Sequence, residues 1–595
     1  MNEQKNLILA VALSVLVVLG YEFFYSIPQQ QAEQARRLEI EAQQKAQHPA
    51  GSTAPTAPAS TAAGSPGSAG VSAPGGAAPA AGVPIAPGAP TSAQRDAQLK
   101  KTKRLIVENP RVRGSISLTG ARFDDLILSG YRETIDTESS NIHLLNPGGL
   151  PKSYLAEFGW VPSDAAIKVP NKDSVWTAKG GALTPESPVT LSWSNGAGLT
   201  FERVYEIDDQ YLITIVQRVR NTGGSSVTLF PYGLLARGGT PETLGFYILH
   251  EGLLGVFGGT LTEVDYSDIQ DEGEQKIVSD GGWIGITDKY WQTALLPNQT
   301  EKYEFRFKHT IRDQDDRYQV DYLGGGRDLA PGNSIEVTNH LFAGAKEVRA
   351  IDAYEASLAA ANFDLSIDFG WFYFLTKPFF YIVSWLSNYL GNFGLAILAF
   401  TILVKLVFFP LANKSYKSMA KMRALTPKLQ EMREQYGDDR ARLNQEMMEL
   451  YKKEKVNPAS GCLPIVVQIP VLFALYKVLF VNIEMRHAPF FGWIQDLSAP
   501  DPTSLFTAFG FIPWDPPQFL AIGIWPIIMG VTMWMQQRLN PQPTDPVQAK
   551  IFAFFPFFFT FLLASFPAGL VIYWAWNNTL SMAQQWVIMK RMGVK

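Results

Sequence analysis

Polar and charged side chains recur inside stretches of this chain that are otherwise apolar, and their spacing is helical. Lys405 lies in the apolar run from Leu390 to Leu411, and Thr401 precedes it by four residues, so both belong to one helical face. The last apolar run carries polar groups three or four residues apart along one stripe: Trp574, Asn577, Asn578, Ser581, Gln584 and Gln585. Polar groups are costly in hydrocarbon unless they are satisfied, so these side chains should converge on a bundle interior or a hydrated cavity. The chemistry they offer is hydrogen bonding and attraction of negative charge.

Lys405 has no acidic partner within the apolar runs of the C-terminal region. None of the C-terminal apolar runs contains Asp or Glu: Leu390 to Leu411, Leu463 to Val481, Phe519 to Met535, Ile551 to Phe566 and Leu570 to Met589. An ammonium without a counter-ion persists where water or a transient partner reaches it, which favours a hydrated groove open to the cytoplasm. The alternative is that Lys405 snorkels to the cytoplasmic surface, ~12 Å away along the helix.

These apolar runs indicate a polytopic membrane protein. The run from Ile551 to Met589 is about twice the ~20 residues that cross a bilayer, and Phe566-Pro-Ala-Gly near its middle predicts a hairpin of two short spans. With an apolar run from Leu7 to Gly20, the chain should cross the membrane six times. Eleven Lys and Arg lie between Asn413 and Asn457, whereas the loop from Asn482 to Gln518 holds only Arg486. The basic loop and both termini are therefore expected in the cytoplasm.

Composition divides the chain into segments. Residues 1–28 are predicted to be an uncleaved transmembrane signal anchor, the alternative being a removed signal peptide, and the Ala/Pro/Gly-rich residues 29–103 a disordered tether. Short β-branched and aromatic runs separated by turn residues predict a β-sandwich over 104–355, outside the cytoplasm. The remaining predictions are an interfacial amphipathic helix at 366–389, transmembrane helix 2 at 390–412, a cytoplasmic helical hairpin at 413–460, and transmembrane helices 3–6 with a short tail at 461–595.

The predicted hairpin has a methionine-rich seam. Met419, Met422 and Met447 recur at helical spacing with leucines, and Gly437-Asp-Asp separates the two helices. Because methionine is flexible and polarizable, this seam could contact varied apolar partners, but an ordinary hairpin core is the competing interpretation.

A series of motifs occurs in order in the C-terminal region, from about Phe369 to Met592: Thr401-Ile-Leu-Val-Lys, Pro410-Leu, Ser418-Met-Ala-Lys-Met-Arg, Pro427-Lys-Leu-Gln, Gln445-Glu-Met-Met-Glu-Leu-Tyr-Lys, Lys455-Val-Asn-Pro, Gly461-Cys-Leu-Pro, Gln468-Ile-Pro, Asp496-Leu-Ser, Met529-Gly-Val-Thr-Met and Phe566-Pro-Ala-Gly-Leu-Val-Ile-Tyr-Trp. With these motifs the region resembles the YidC/Oxa/Alb insertase family. The anchor, the tether and the β-domain resemble the Gram-negative form of that family. The resemblance implies a periplasmic β-super-sandwich and a five-helix core in the cell inner membrane. It also implies cooperation with the Sec translocon, the signal recognition particle route and the ribosome.

The resemblance also assigns the groove. Relatives in bacteria usually carry arginine where this chain has Lys405, so a point charge replaces a bidentate fork. The aromatic next to Tyr573, often a second tyrosine, is Trp574. The candidate substrate-groove residues are Thr401, Lys405, Gln468, Gln537, Tyr573, Trp574, Asn577, Ser581 and Gln585.

The predicted function is a membrane protein insertase and chaperone whose partners are nascent membrane proteins and lipids. Nucleotide hydrolysis is not expected, because the chain lacks a Gly-x-x-x-x-Gly-Lys-Ser/Thr loop. No cofactor or metal is expected, since the single Cys462 excludes a multi-cysteine zinc site, and the net charge of -4 does not favour DNA binding. A secondary transporter would need an internal repeat and paired acids, and a membrane-anchored carbohydrate-active enzyme would need paired carboxylates.

Overall fold

The fold was analysed in a computed structural model, which describes residues 91–243, 249–312, 315–436, 439–454, 463–510, 512, 521–539 and 546–591. The predicted anchor at 1–28 and the predicted tether up to residue 90 lie outside these residues. Cys462 and the four C-terminal residues lie outside them as well.

Antiparallel strands form the N-terminal half of the described chain. In chain order they are β1 (Arg104–Glu108), β2 (Val112–Ser117), β3 (Arg122–Arg132), β4 (Asn141–Leu145), β5 (Tyr154–Pro162), β6 (Thr177–Lys179), β7 (Val189–Ser194), β8 (Leu199–Ile207), β9 (Leu212–Asn221), β10 (Val227–Gly238), β11 (Gly252–Phe257), β12 (Thr260–Val264), β13 (Glu274–Asp280), β14 (Trp283–Thr287), β15 (Trp291–Leu296), β16 (Lys302–Arg312), β17 (Asp315–Gly324), β18 (Arg327–Leu329) and β19 (Ser334–Ala345).

Two sheets face each other across one apolar core. Within the described residues, a ten-stranded sheet runs β1-β2-β3-β5-β10-β17-β16-β13, with β4 paired to β3 and β18 paired to β10. A nine-stranded sheet runs β12-β11-β14-β15-β19-β9-β8-β7-β6. Burial alternates along β8 and β9, and the inward residues include the fully buried Phe201 and Tyr205. The predicted β-sandwich is confirmed, because period-two patterning buries one face of each strand.

Residues described by the structure begin at Thr91, before the predicted domain boundary at residue 104. A short helix, α1 (Ser92–Leu99), starts at a capping box formed by Thr91 and Gln94. Its Arg95 is buried and forms an ion pair with Asp125 and a hydrogen bond to Asn146 Oδ1 at 3.2 Å. The prediction of a disordered tether up to residue 103 is therefore wrong for residues 92–99, which form a helix. The buried Arg95 attaches this helix to β3.

Helices form the C-terminal half, after α2 (Tyr266–Glu272) and α3 (Val348–Leu358) within and beside the sandwich. They are α4 (Tyr373–Leu390), α5 (Phe393–Val407), α6 (Phe409–Tyr436), α7 (Arg440–Lys453), α8 (Leu463–Val481), α9 (Ile524–Leu539), α10 (Pro546–Leu562) and α11 (Ala568–Arg591). The predicted helical C-terminal region is confirmed, whereas the number of membrane crossings stays a prediction. Among the described residues, no single helix is long and apolar enough to cross a membrane, although α5 and Phe409–Met422 of α6 reach that measure as a bent pair.

The bend between α5 and α6 is 69°. It falls at Phe408, two residues before Pro410. Proline has no N–H to donate to the carbonyl four residues earlier, and its ring crowds that carbonyl, so a straight helix cannot continue through this point. The predicted span from Leu390 to Leu411 is therefore divided between α5 and the start of α6, and α6 continues into the predicted hairpin.

Helix α4 occupies the position predicted for an interfacial amphipathic helix. Its buried face includes Phe380 and Ser384, and Trp385 and Tyr389 stack on its exposed face with ring centroids 5.8 Å apart. Lys377 Nζ fastens the helix to the sandwich through Asp352 at 3.0 Å and Asp364 at 2.5 Å.

Candidate functional site

A polar cavity lies among four C-terminal helices. Its walls are α5, the start of α6, α8 and α11, and the bend at Phe408 brings α6 across the end of α5. The lining residues are Thr401, Val404, Lys405, Phe408, Leu411, Ala412, Tyr416, Gln468, Val471, Leu475, Tyr573, Asn577 and Gln584. No acidic residue occurs among these described lining residues. The space that water molecules can occupy is about 50 Å³, several times the ~10–15 Å³ that one water needs.

Lys405 points across the cavity to α11. Its Nζ donates a hydrogen bond to Ser581 Oγ at 2.7 Å, and that hydroxyl in turn donates to the Asn577 carbonyl at 2.8 Å. In the part of the chain that the structure describes, no carboxylate lies within ion-pair distance of Lys405. The ammonium is thus held by one neutral hydroxyl and retains donor capacity toward the cavity.

Two further predicted residues, Gln468 and Asn577, contact each other between α8 and α11. Gln468 Nε2 of α8 donates to Asn577 Oδ1 of α11 at 3.2 Å. Thr401 is buried, and its hydroxyl donates back to the Ile397 carbonyl at 2.7 Å, which satisfies it within its own helix. Tyr573 lines the same cavity. The structure therefore brings together Thr401, Lys405, Gln468, Tyr573, Asn577 and Ser581.

The other three predicted groove residues lie outside the cavity: Trp574 and Gln585 are on the side of α11 that faces α9 and α10, and Gln537 belongs to α9 itself. Trp574 packs against Phe559 of α10, with ring centroids 5.8 Å apart. Gln585 Nε2 donates to the Leu539 carbonyl of α9 at 3.0 Å, and Gln537 donates to the Phe552 carbonyl of α10. These three side chains connect helices outside the cavity.

The structure adds Gln584 and Tyr416 to the cavity. Gln584 is half-buried, and within the described chain its Nε2 atom has no hydrogen-bond partner. Tyr416 comes from α6, which the sequence assigned to the cytoplasmic hairpin. Gln584 had a sequence signal, because it belongs to the polar stripe of the last apolar run. Tyr416 had none, since its position depends on the bend at Phe408.

The methionines of the hairpin have different surroundings. Met422 of α6 and Met447 of α7 pack against the buried Leu425 and Leu429. Met419 is half-buried and lies outside that cluster, and Met448 is 53% exposed. Lys428 Nζ joins the two helices through Glu454 Oε1 at 3.3 Å.

A carboxylate trio beside the sandwich has the spacing of a cation site. Asp352, Glu355 and Asp364 can bring their oxygens within 4.8 Å of one another. The ammonium of Lys377 already pairs with two of them, so the cluster is a structural ion-pair network that holds α4.

Comparison with known proteins agrees with this architecture. Residues 104–382 match the family described as the YidC periplasmic domain, and residues 385–595 match the family described as the 60Kd inner membrane protein. The sandwich therefore corresponds to a periplasmic domain, and the helical region to an inner-membrane protein.

Relatives match over the full length. The "Membrane protein insertase YidC" of Brucella suis biovar 1 (strain 1330) is 50% identical, over 100% of this chain and 97% of its own. The protein of the same description from Sinorhizobium medicae (strain WSM419) is also 50% identical, with the same coverage. A crystal structure of an active YidC insertase matches with a TM-score of 0.34 and 18% identity, over 81% of this chain and 92% of that one. By its full-length relatives, this chain belongs to the YidC family of membrane protein insertases.

Proposed function

We propose that this chain inserts and folds integral membrane proteins in the inner membrane, and that the polar cavity receives the hydrophilic end of each client. The observation that carries the proposal is the contact between Lys405 and Ser581. It is a cation held by a neutral group, without a carboxylate among the described residues, inside a cavity of about 50 Å³ between apolar helices. Such a cation attracts a partner that arrives from outside.

A client carboxylate competes well for Lys405. A carboxylate carries a full negative charge that the Ser581 hydroxyl lacks, so it attracts the Lys405 ammonium more strongly than the hydroxyl does. The client oxygen therefore displaces Ser581, and the freed hydroxyl keeps its bond to the Asn577 carbonyl. The exchange is reversible because lysine is a point charge rather than a bidentate clamp. Release is as necessary as capture, since each client must leave.

Amide groups on the facing wall serve clients that have no charge. Gln468 and Asn577 hold each other at 3.2 Å, and each retains further donor or acceptor capacity for a peptide group. A polar segment that enters the cavity thus exchanges water for protein hydrogen bonds. The apolar segment that follows it moves into lipid, driven by burial of its own roughly 20 apolar residues. No nucleotide hydrolysis is part of this mechanism.

A helix that packs against α11 outside the cavity, α10, suits a thinned bilayer. Helix α10 has 17 residues, a length of ~25 Å at 1.5 Å per residue, against a hydrocarbon core of ~30 Å. Phe554, Phe557 and Phe561 are each more than half exposed on its surface, as lipid contact requires. A thinner bilayer shortens the path that a hydrophilic client segment must travel.

The proposal includes the topology and the partners that the family resemblance implies. The chain crosses the inner membrane six times with both termini in the cytoplasm, and it works alone or with the Sec translocon, the signal recognition particle route and the ribosome. The basic loop between Asn413 and Asn457, which contains α7 and most of α6, supports the cytoplasmic orientation.

Reconstitution tests the proposal. Purified full-length protein in liposomes should insert a single-span client that carries a short acidic tail, as judged by protection of that tail from external protease. Liposomes without the protein measure spontaneous insertion. Insertion that stays at this background in sealed vesicles, with the protein folded and correctly oriented, contradicts an autonomous insertase. Solute uptake by the same vesicles would instead favour the secondary transporter.

A further inference from the structure

A second cleft opens at one end of the β-sandwich, far in sequence from the polar cavity. It lies between the ten-stranded sheet, which contributes β4, β5 and the end of β10, and the nine-stranded sheet, which contributes the β14–β15 turn and Trp291. Water molecules can occupy about 170 Å³ of it, room for several at the ~30 Å³ that each takes in the liquid. Insertion through the C-terminal helices makes no use of this cleft.

The charged groups of the cleft are held in place. Arg237 Nη1 donates to Asp288 Oδ1 at 2.7 Å and to the Tyr266 hydroxyl at 3.3 Å, and its guanidinium lies 5.0 Å from the ring centroid of Tyr154. This leaves further N–H groups of Arg237 and the second oxygen of Asp288 for a ligand. The cleft thus presents a fixed donor beside a fixed acceptor.

Two other lining groups have unmet capacity. Lys152 is half-buried, and its ammonium forms no ion pair with any described residue. His143 Nδ1 is buried and has no hydrogen-bond partner within the described chain. Burial and the nearby Arg95 lower the pKa of His143 to about 4, so its ring is neutral at ordinary pH. With Lys152 and Arg237 charged and Asp288 ionised, the lining carries a net charge of one positive unit.

Trp291 forms an apolar wall. The Trp291 ring makes an edge contact with Tyr131, at 5.2 Å between ring centroids. The Arg486 guanidinium lies 5.3 Å from the centroid of the Trp291 ring. Arg486 thus covers part of the indole, and the part of Trp291 that lines the cleft is an apolar surface against which the C–H face of a sugar ring can pack. The fixed donors and acceptors around it fit ring hydroxyls, and the surplus positive charge fits one anionic substituent.

We propose that this cleft binds an anionic saccharide unit, with the ring on Trp291, hydroxyls between Arg237 and Asp288, and the negative group on Lys152. The site binds without hydrolysing. Retaining and inverting glycosidases use two carboxyl groups, and Asp288 is the one carboxylate among the described lining residues. Because the sandwich matches a periplasmic domain, the ligand belongs to that compartment.

Calorimetric titration of full-length protein in detergent tests the proposal, with methyl β-D-glucuronide as the probe. Saturable binding is expected, and methyl β-D-glucoside, which lacks the charge, should bind at least about tenfold more weakly. Inorganic phosphate, which lacks the ring, should also bind more weakly. Phosphate that binds as tightly as the glucuronide would reduce the cleft to an anion site and overturn the proposal. Absence of saturable glucuronide binding would overturn it too.

Charge reversal locates the binding. Lys152→Glu should weaken glucuronide binding by at least about tenfold, whereas Lys152→Arg should retain it. The matched control is Lys179→Glu, on the exposed edge strand β6 of the same domain, where the same charge change should alter affinity by less than about twofold. Equal effects of the two Glu variants would mean that general electrostatics, and not this cleft, governs binding.

Discussion

Under the proposed function, Lys405 should determine which clients the cavity favours. Lys405→Arg should retain insertion, because the positive charge remains, whereas Lys405→Glu should slow clients with acidic translocated tails most. Insertion rates of matched acidic-tailed and neutral-tailed clients measure the effect. A folding defect would slow both classes alike, so the difference between them is the informative quantity. Equal slowing of both classes would remove the electrostatic role from Lys405.

Adjacent glutamines on α11 give a sharper test of where the cavity lies. Gln584 lines it, whereas Gln585 is buried and bonds to α9. In a Cys462→Ser background, cysteine at 584 should react with a water-soluble maleimide and cysteine at 585 should not, since a thiol needs water to ionise. Cysteine in place of Leu406, which is 66% exposed on the outer face of α5, is the lipid-facing control. Equal labelling at 584 and 585 would place the cavity elsewhere.

The polar stripe of α11 shows how far sequence reasoning reaches. At 100° per residue, Asn577, Ser581 and Gln584 lie within about 80° of Tyr573, whereas Trp574, Asn578 and Gln585 lie about 100–140° from it. The structure divides the residues along this line, with the first group toward the cavity and the second toward α9 and α10. The sequence predicted that the stripe was polar and inward. It could not predict that one edge of the stripe faces the cavity and the other faces α9 and α10, because that division depends on how α9 and α10 pack.

At the scale of elements, periodic patterns were sufficient to predict strands and helices, whereas local breaks within the helices were not predicted. Alternation predicted β8, β9 and β19, and apolar runs predicted the C-terminal helices. The sequence did not predict the bend at Phe408, despite Pro410, because the apolar composition continues through it. Its consequence is that Tyr416 of the hairpin helix lines the cavity. Helix α1 was not predicted, because it is stabilised by the contact of Arg95 with Asp125, thirty residues away in the chain.

The hairpin seam allows its own test. Met422 and Met447 pack against leucines, so replacing both by leucine should be nearly silent, with a change in the free energy of unfolding below ~1.5 kcal/mol. The exposed Met448 is the matched position, and Met448→Ser should slow insertion of the most apolar clients if the hairpin contacts them. A panel of clients inserted at wild-type rates by the Met448 variant would restrict the hairpin methionines to a core role.

Across the whole molecule, the sandwich contacts the helical region through a half-buried cation. Lys289, in the β14–β15 turn, lies 4.0 Å from the ring centroid of Phe480 in α8. Burial lowers its pKa from 10.5 to about 8, against the opposing charges of Glu251 and Asp496. The unfolded chain therefore binds a proton above pH 8 that the folded protein does not, so stability should rise with pH from about 8. Above about 10 the buried tyrosines, such as Tyr290, act in the opposite direction because their pKa values are raised.

This pH dependence predicts the behaviour of a variant. Lys289→Met should raise the apparent Tm below pH 8, since it removes a cation that burial disfavours, and it should flatten the rise between pH 8 and 10. Lys276→Met, on the exposed strand β13, is the matched control and should leave the slope unchanged. Thermal unfolding of full-length protein across this range is the measurement. A slope that persists in the Lys289 variant assigns the effect to other groups, of which the buried Lys346 is the first to examine.

Removal of most of the sandwich, residues 110 to 340, should leave insertion largely intact, because every residue that lines the polar cavity belongs to the C-terminal helices. The ion pairs that hold those helices to the end of the domain survive the deletion: Lys477 with Asp368 at 2.7 Å, and Lys377 with Asp352 and Asp364. The contacts of Lys289 with Phe480 and of Arg486 with the Glu133 carbonyl are lost, so the shortened protein should unfold at a lower temperature while it still inserts clients. Complementation of a depleted strain, with immunoblotting for protein level, separates the two effects. Loss of viability at a normal protein level would assign an essential role to the sandwich itself, and the saccharide cleft would then be the first site within it to mutate.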